Sequence, residues 1–364
     1  MKATVDATEF SQALNKVIKV VKRSQIPVLE GVLVQIKDGA CTLTATDWTT
    51  WLTTAIPAQG DALAFVLQRP KDTARACGCF EGELALETEE KSSGKNRWLQ
   101  LTMSCAPRIA RMDAFLSEDY PAMREEQARH TYTVNAARLL ERVEHVQYTL
   151  RKPSATETAQ RTHVQFSGSK VFALDGNRLA WDVDDSLTVR QPFMVLPEAL
   201  GYLKLFGDRE ITVGMGENYL CLTDGAAMIQ TRIEGPNVFN IDGAVPKEFV
   251  EEFYIFPKDF LRELDYLKKL AYTPDKAHVY FSRGKLFLTA ADGNYSTQVQ
   301  TNGENSIGFG FELGYMVDAL RQFRGEPQVK MKLNNPVAPI VLEAEGRGDF
   351  ALVLPVRMKE AAAA

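Results

Sequence analysis

Long apolar runs are absent from this 364-residue sequence. No stretch reaches the roughly 18 consecutive apolar residues that a membrane-spanning helix needs. The opening residues, MKATVDATEF, have no apolar core of the kind found in export signals. We therefore expect a cytoplasmic protein with no membrane partner.

Cysteine and histidine are also scarce, with five and four residues in the chain. The cysteine number is odd and no CxxC pair occurs, which predicts reduced thiols rather than a disulfide framework. No histidine has a second His or Cys at metal-ligand spacing, which argues against a zinc site but leaves a cluster in space open. We predict no metal and no cofactor.

Catalytic sequence motifs are missing as well. The chain has no GxxxxGK[ST] phosphate loop, no GxGxxG after a strand and no GxSxG nucleophile turn. The acidic run WDVDD, with Asp182, Asp184 and Asp185, could bind a divalent metal, but a solvated turn is the favoured interpretation. The sequence thus indicates a binding protein, and a hydrolase or metal enzyme using Asp175 or this run is the weakest alternative.

An internal repeat of about 120 residues is present. Each copy orders a helix, a hairpin, a strand with a helix, and another hairpin, and Asp-led turns recur at Asp47, Asp175 and Asp292. This predicts an α+β fold of three pseudo-repeated domains, each with two helices packed on antiparallel sheets. The predicted divisions are domain I at 1–125, domain II at 126–249, domain III at 250–358, and a tail at 359–364.

Charge is segregated along the chain. The six predicted helices, at 9–23, 69–79, 135–152, 197–206, 257–270 and 311–325, carry 18 basic and 10 acidic residues, whereas the whole chain has 42 and 47. On the first helix, the spacing of Lys16, Lys19 and Arg23 predicts one basic face. A basic surface in an acidic protein would attract DNA phosphates without reading bases.

Several stretches together resemble one known family. They are QIPVLEGVLVQIKDGACTLTATD, SEDYPAM, ALDGNRLA, IGFGFELGYMVDALRQF and the ending ALVLPVRM. On these motifs the chain resembles the bacterial sliding clamp, the β subunit of DNA polymerase III, from Met1 to about Met358. The three repeats, the acidic net charge and the basic helices agree with that resemblance.

The resemblance implies a non-catalytic processivity factor. It implies a ring-shaped, head-to-tail homodimer that encircles duplex DNA independently of sequence. The ring would hold a DNA polymerase, a clamp loader and other proteins with a clamp-binding motif. An alternative is an interaction scaffold on the same fold with altered partner specificity.

The resemblance also implies a hydrophobic groove for partner peptides between domains II and III. Matching positions in this sequence are Leu174, Gly176, Asn177, Arg178, Leu179, Phe239, Ala244, Tyr315, Val337, Leu352, Leu354, Pro355, Val356 and Arg357. Apolar walls with a few polar anchors suit a short hydrophobic peptide. Leu352, Leu354 and Val356 are equally consistent with an ordinary core strand.

The sequence departs from the family around this groove. Phe239 stands where the family usually has proline, and Gly243 and Ala244 replace a bulkier basic–aliphatic pair. The segment RKPSATETAQRTHVQF aligns poorly, so a groove leucine has no counterpart there. Groove specificity is therefore expected to differ.

The remaining residues carried over concern DNA and the dimer. The DNA-binding set is Arg23, Lys19, Lys16, Lys71, Arg151, Lys152 and Arg321, of which Arg23 matches best. For Lys71, Arg151, Lys152 and Arg321, an ordinary solvated charge is an equal alternative. The dimer set is Ile109, Met112, Leu270 and Tyr272.

Overall fold

The structure is a computed structural model that describes residues 1–94, 96–274, 276–289 and 294–358. The predicted turn at Asp292 and the predicted tail at 359–364 lie outside these residues. Within them, all strand pairings between the named strands are antiparallel.

The same order of elements occurs three times along the chain. The first copy holds β1 (Lys2–Asp6), α1 (Ala7–Val17), β2 (Val32–Lys37), β3 (Ala40–Thr46), β4 (Thr50–Gly60), β5 (Leu63–Leu67), α2 (Pro70–Cys77), β6 (Glu83–Ser93), β7 (Asn96–Cys105) and β8 (Arg108–Phe115).

The second copy adds one short helix, α4, to this order. It holds β9 (His130–Asn135), α3 (Ala136–Gln147), α4 (Ala159–Thr162), β10 (Val164–Gly168), β11 (Lys170–Leu174), β12 (Arg178–Val183), β13 (Val189–Val195), α5 (Pro197–Leu200), β14 (Glu210–Met215), β15 (Tyr219–Thr223) and β16 (Ala227–Arg232).

The third copy adds one short strand, β21. It holds β17 (Glu251–Ile255), α6 (Pro257–Leu270), β18 (His278–Ser282), β19 (Lys285–Leu288), β20 (Ser296–Gln298), β21 (Thr301–Asn302), β22 (Phe309–Glu312), α7 (Leu313–Arg321), β23 (Val329–Leu333), β24 (Ile340–Glu343) and β25 (Phe350–Val353). The predicted α+β class, with helices on antiparallel sheets, is confirmed.

Local sequence signals explain where the helices begin. The Asp6 carboxylate accepts hydrogen bonds from the backbone N–H groups of Thr8 and Glu9, both at 2.9 Å, and so caps α1. Pro257 opens α6, where its missing N–H costs nothing. The apolar spacing of α6 buries Phe260 and Leu264 fully against the sheets.

Helix α1 is shorter than the sequence predicted. The helix stops at Val17, and Val20 N–H bonds to the Val17 carbonyl in a tighter turn. Lys19 and Arg23 therefore lie beyond the helix, and the prediction that they share one helical face with Lys16 is wrong. The run of β-branched residues after Val17 disfavours further helix.

The chain folds into two compact units. One contains Met1–Ala137 and Gly201–Ile233, and the other contains Arg138–Leu200 and Glu234–Ala364. The first unit has a 12-stranded sheet, and the second has sheets of nine and four strands. Residues 126–249 are thus shared between the units, and the three-domain division at 125 and 249 stays a prediction.

Equivalent strands join the repeats within each unit. In the first unit, the fourth strand of repeat one, β4, pairs with the last strand of repeat two, β16. In the second unit, β12 and β25 are the corresponding fourth and last strands, and they pair in the same antiparallel manner. The strands that remain are β20, the fourth strand of repeat three, and β8, the last strand of repeat one. Among the described residues, these two strands do not pair with each other. β20 ends its sheet, and the Arg108–Asp113 part of β8 pairs only with β7.

Candidate functional site

The stretch ALDGNRLA forms a tight turn between β11 and β12. The Asp175 carboxylate accepts hydrogen bonds from the N–H groups of Asn177 and Arg178, at 2.8 and 3.0 Å. Gly176 has φ of +93°, a left-handed conformation that favours glycine. Asp175 is 3% exposed, so this acid shapes the turn rather than facing a substrate.

Arg178 is the centre of a polar cluster beside this turn. Its Nε lies 3.2 Å from Asp175 Oδ2, and its Nη1 lies 2.7 Å from Asp318 Oδ2. Its guanidinium carbon is 4.7 Å from the Tyr315 ring centre and 5.6 Å from that of Tyr148. Two carboxylates and two aromatic faces thus fix the planar cation in one orientation.

Burial raises the pKa of Tyr148, whose side chain packs beside Arg178. Its hydroxyl has no hydrogen-bond partner among the described residues. The ring therefore contributes to the cluster through its face rather than through its hydroxyl.

Nine of the fourteen predicted groove residues surround one small cavity of about 100 Å³. They are Leu174, Gly176, Asn177, Arg178, Leu179, Phe239, Ala244, Leu352 and Leu354, and Pro339 joins them. Pro339 was not predicted, because it lies in a loop that carries no motif. The lining is almost wholly apolar, as a hydrophobic peptide side chain requires.

The last strand supplies both core and groove residues. Leu352 is 5% exposed and pairs with Leu179 across β12 and β25, whereas Leu354 lies just past the strand and is 38% exposed. The Leu354 N–H bonds to the Asn177 carbonyl at 2.8 Å, which holds this residue beside the turn. Leu352 is thus both packed in the core and part of the lining, and Leu354 is an exposed apolar residue at the cavity.

The other predicted groove residues lie close by. Val337, Val356 and Arg357 line a second, larger cavity of about 680 Å³ with Met358 and residues 306–310. The Val356 N–H bonds to the Gly310 carbonyl at 2.8 Å, which places the chain end against β22. Tyr315 packs on Arg178, and Pro355 connects the segments that line the two cavities. The larger cavity was not expected from the sequence.

The poorly aligned segment contributes two residues that the motifs did not reveal. Gln165 is fully buried, and its side-chain oxygen accepts a hydrogen bond from the Phe239 N–H at 2.7 Å. The Arg161 guanidinium lies over Gly176, where an added Cβ would come within 3.2 Å of its Nη2. Both act across long sequence separations, so no local signal identifies them.

The predicted DNA-binding residues have different surroundings. Arg23 and Lys71 line one cavity of about 320 Å³ in the first unit, together with Lys22 and Arg69. Arg151 instead pairs with Glu157 at 2.9 Å, and Arg321 lies 3.5 Å from Asp318. Lys19 and Lys152 are exposed, and Lys16 is partly exposed. Arg151 and Arg321 thus have the ion pairs of ordinary surface charges.

The predicted dimer residues differ in exposure. Ile109 on β8 is 61% exposed and Tyr272 after α6 is 77% exposed, both high for large apolar side chains. Met112 and Leu270 are half-buried.

The Asp47 turn between β3 and β4 contacts Lys22, which lines the cavity that also contains Arg23 and Lys71. One carboxylate oxygen of Asp47 accepts bonds from the N–H groups of Thr49 and Thr50, and the other is 2.6 Å from Lys22 Nζ. Burial raises the pKa of Asp47, but the bonds from Lys22, Thr49 and Thr50 outweigh it, and the net pKa is lowered. The folded protein therefore favours the ionised carboxylate.

Replacing Asp47 with alanine is expected to lower the midpoint of thermal unfolding by a few degrees near pH 7, because hydrogen bonds to a charged group contribute roughly 1.5–3 kcal/mol. Since the folded pKa lies below the unfolded value, this stabilisation is present above the unfolded pKa and is lost as pH falls through the folded one. Calorimetry from neutral to acid pH should show the difference in unfolding midpoint between the unaltered protein and the Asp47→Ala variant becoming smaller. The Asp185→Ala change, at an exposed acid, serves as the control. A difference in unfolding midpoint for Asp47→Ala that persists in acid would contradict a stabilising role of the ionised Asp47 carboxylate.

The WDVDD run differs from its prediction. Asp182 and Asp184 are 1% and 2% exposed, so the expectation of a solvated turn is wrong for them, and only Asp185 is exposed. Asp182 lies 2.7 Å from His145 Nδ1 and 3.1 Å from Arg142 Nη1. Arg142 and His145 of α3 reach Asp182 across 40 and 37 positions, a link that the polar sequence does not reveal.

His145, Asp182 and Asp349 come close enough to share a metal ion, with ligand atoms within 4.8 Å of one another. Both carboxylates already have guanidinium partners, because Arg347 Nη2 lies 2.5 Å from Asp349 and Arg142 contacts Asp182. A divalent cation would meet these two positive charges at close range. The cluster is therefore better explained as a buried ion-pair network.

No helix in the described ranges is long and apolar enough to cross a membrane.

Comparison with known proteins agrees with the resemblance seen in the sequence. Residues 1–75 match the family model of the DNA polymerase III beta subunit, N-terminal domain. Among curated proteins, none matches the chain with significance.

Solved structures match over nearly the whole chain. The DNA polymerase III subunit beta from Pseudomonas aeruginosa superposes with a TM-score of 0.83 at 17% identity, covering 98% of this chain and 100% of that one. The DNA polymerase sliding clamp from Bacillus subtilis gives 0.82 at 17%, covering 99% and 100%. The beta subunit from Thermotoga maritima gives 0.80 at 18%, covering 98% and 100%.

Identities this low establish the fold, and the family model adds a sequence match for the first repeat. Residues 1–75 thus match the DNA polymerase III β subunit by sequence, and the chain as a whole has the fold of the bacterial sliding clamps.

Proposed function

We propose that this protein is a DNA sliding clamp, a non-catalytic cytoplasmic ring that encircles duplex DNA and tethers a DNA polymerase. The observation that carries the proposal is the clamp fold over 98% of the chain and 100% of a solved clamp. Topological enclosure needs only weak, sequence-independent phosphate contacts, which the cavity lined by Arg23 and Lys71 could supply.

The strand pairing between repeats supports a head-to-tail homodimer. β4 pairs with β16 and β12 pairs with β25, which leaves β20 and the exposed edge of β8 as the equivalent pair. Among the described residues of one chain, β20 and β8 are not joined in the way that β4 joins β16 and β12 joins β25. Pairing β20 of one copy with β8 of a second copy, twice, would close a ring of six repeats.

The apolar cavity beside Arg178 is the proposed site for partner peptides from a polymerase, a clamp loader or other clamp-binding proteins. Exposed Leu354 and buried Leu179 provide apolar walls, and Asn177 and Arg178 provide polar anchors. A short peptide with two or three apolar side chains would fit such a lining.

Retention on circular DNA tests enclosure directly. The protein, loaded onto a nicked circle by a bacterial clamp loader with ATP, should stay bound during gel filtration at moderate salt. Cutting the circle should release it, because a ring slides off a free end while a surface-bound protein does not. Retention that is unchanged by linearisation would contradict the proposal.

A second candidate is a clamp-fold scaffold with altered partner specificity. Phe239 favours it. Gln165 accepts a hydrogen bond from the Phe239 backbone N–H and so holds this residue at the cavity, where the clamp family usually has proline. A consensus clamp-binding peptide separates the two. Binding at low micromolar concentration supports the replicative clamp, and failure to bind at high micromolar concentration supports the scaffold.

A further inference from the structure

Trp48 occupies an unfavourable position in two respects. Its side chain is 53% exposed, and its backbone has φ of +74°, in the left-handed region. A bulky residue there is a genuine conformational outlier, and such strain persists only where surrounding contacts enforce it. Neither burial nor backbone preference explains a tryptophan at this place.

The turn itself does not require an aromatic residue. In repeat two, the equivalent turn has the same bonds, with the Asp175 carboxylate accepting from the N–H groups two and three residues ahead. Asp47 accepts from Thr49 and Thr50 in the same pattern. The position equivalent to Trp48 is Gly176, with φ of +93°. The chain therefore builds this turn elsewhere with glycine.

Hydrogen bonds fix the backbone on both sides of Trp48. The Thr46 hydroxyl accepts from the Trp48 N–H at 3.0 Å, and the Thr46 N–H donates to the Tyr120 hydroxyl at 3.1 Å. On the other side, the Arg232 N–H donates to the Thr49 carbonyl at 2.9 Å. The indole is thus presented to solvent from a rigid support.

Basic residues of the loop after α1 lie near the turn that carries Trp48. Lys22 reaches Asp47, the residue before Trp48, and the exposed Arg23 follows Lys22 in the loop. Arg23 also lines a cavity with Arg69 and Lys71, in which these cations outnumber the acidic Glu30 and Asp72. An apolar ring beside these cations is complementary to DNA, whose phosphates flank the apolar faces of the deoxyribose rings that line the minor groove.

We propose that Trp48 is an apolar DNA-contact residue, whose indole packs against deoxyribose and base edges in the minor groove while Arg23 meets a phosphate. This inference rests on the proposed clamp function and adds a contact that does not depend on charge. The contact would position the duplex against the first repeat without reading its sequence.

Trp48→Gly is the decisive variant, because glycine is what the sister turn uses. Binding to a fluorescein-labelled duplex of about 20 base pairs at low salt should weaken about tenfold, the order expected when a partly buried apolar side chain loses its contact. The slope of log Kd against log salt should not change, whereas Arg23→Ala should reduce it by about one. The midpoint of thermal unfolding should stay equal or rise, since glycine relieves the strain at this φ.

Fluorescence provides an independent readout. The duplex should protect a tryptophan of the unaltered protein from acrylamide quenching, and this protection should vanish in Trp48→Gly. Trp48→Asn, which tolerates the same backbone conformation, should behave like the glycine variant and guards against a folding effect.

Three outcomes would overturn the inference: unchanged duplex affinity, a falling unfolding midpoint in both variants, or protection by a partner protein instead of duplex. They are distinguishable from failure of the proposed function. If the proposed clamp function fails, linearising the circular DNA would not release the unaltered protein, and this result does not depend on the Trp48 variants.

Discussion

Replacing Ile109 with aspartate is expected to convert the proposed dimer into a monomer at micromolar concentration. Ile109 is 61% exposed on the edge strand β8, which pairs with β7 on one side. A carboxylate placed in a strand-to-strand contact would be buried without a partner. A central interface residue of this kind is worth roughly 3 kcal/mol, so the dimer dissociation constant should rise about 100-fold.

Sedimentation velocity measures this change, and DNA retention gives its consequence. The monomer should no longer stay on a circular DNA, because an open chain cannot enclose it. Val250→Asp is a matched control, since Val250 is 77% exposed and belongs to neither β8 nor β20. An Ile109→Asp protein that remains dimeric would remove β8 from the interface.

Replacing Arg178 with alanine is expected to disable the groove and destabilise the second unit. The Arg178 side chain is 11% exposed and pairs with Asp175, whose side chain is 4% exposed. Removing one partner of a buried pair leaves an uncompensated charge, which costs roughly 3–5 kcal/mol. The midpoint of thermal unfolding should fall by several degrees, and a consensus clamp-binding peptide should bind on the order of 100-fold more weakly.

Arg321→Ala is the matched control for this prediction. Arg321 contacts the same Asp318 carboxylate at 3.5 Å, but its side chain is 56% exposed. Solvent screening makes such surface pairs worth about 0–1 kcal/mol, so little change is expected. Arg178→Lys should be intermediate, because it keeps the charge but loses the planar contacts with Tyr148 and Tyr315. An Arg178→Ala protein with normal stability and peptide affinity would contradict the assigned role.

Local signals predicted much of the fold, including the turn that bears Arg178. The repeated order of elements, the Asp6 cap, the Pro257 helix start and the turn at Asp175–Gly176 all depend on contacts within a few residues. Such contacts can be read from residue types and spacing. The groove positions came instead from the resemblance to the sliding-clamp family. Seven of them, in the motifs ALDGNRLA and ALVLPVRM, lie around one cavity together with Phe239 and Ala244.

Other predictions failed where long-range packing outweighs local composition. The first helix is an exception with a local cause, because β-branched residues follow its end at Val17, although the charge spacing continues to Arg23. Asp182 and Asp184 look like a solvated acidic turn, but both are buried, and Arg142 and His145 of α3 contact Asp182. Gln165 reaches Phe239 across 74 positions, a link that no local pattern carries.

The sequence by itself determined the three-fold repeat, the α+β class and the turn that bears Arg178, because periodicity, capping and glycine conformations act locally. Only the tertiary structure decided which strand edges stay without a partner in the described chain, which acids are buried, and that Trp48 stands exposed where the sister turn has Gly176. Burial and strand pairing depend on residues far apart in the chain, and their positions are set only when the sheets have formed.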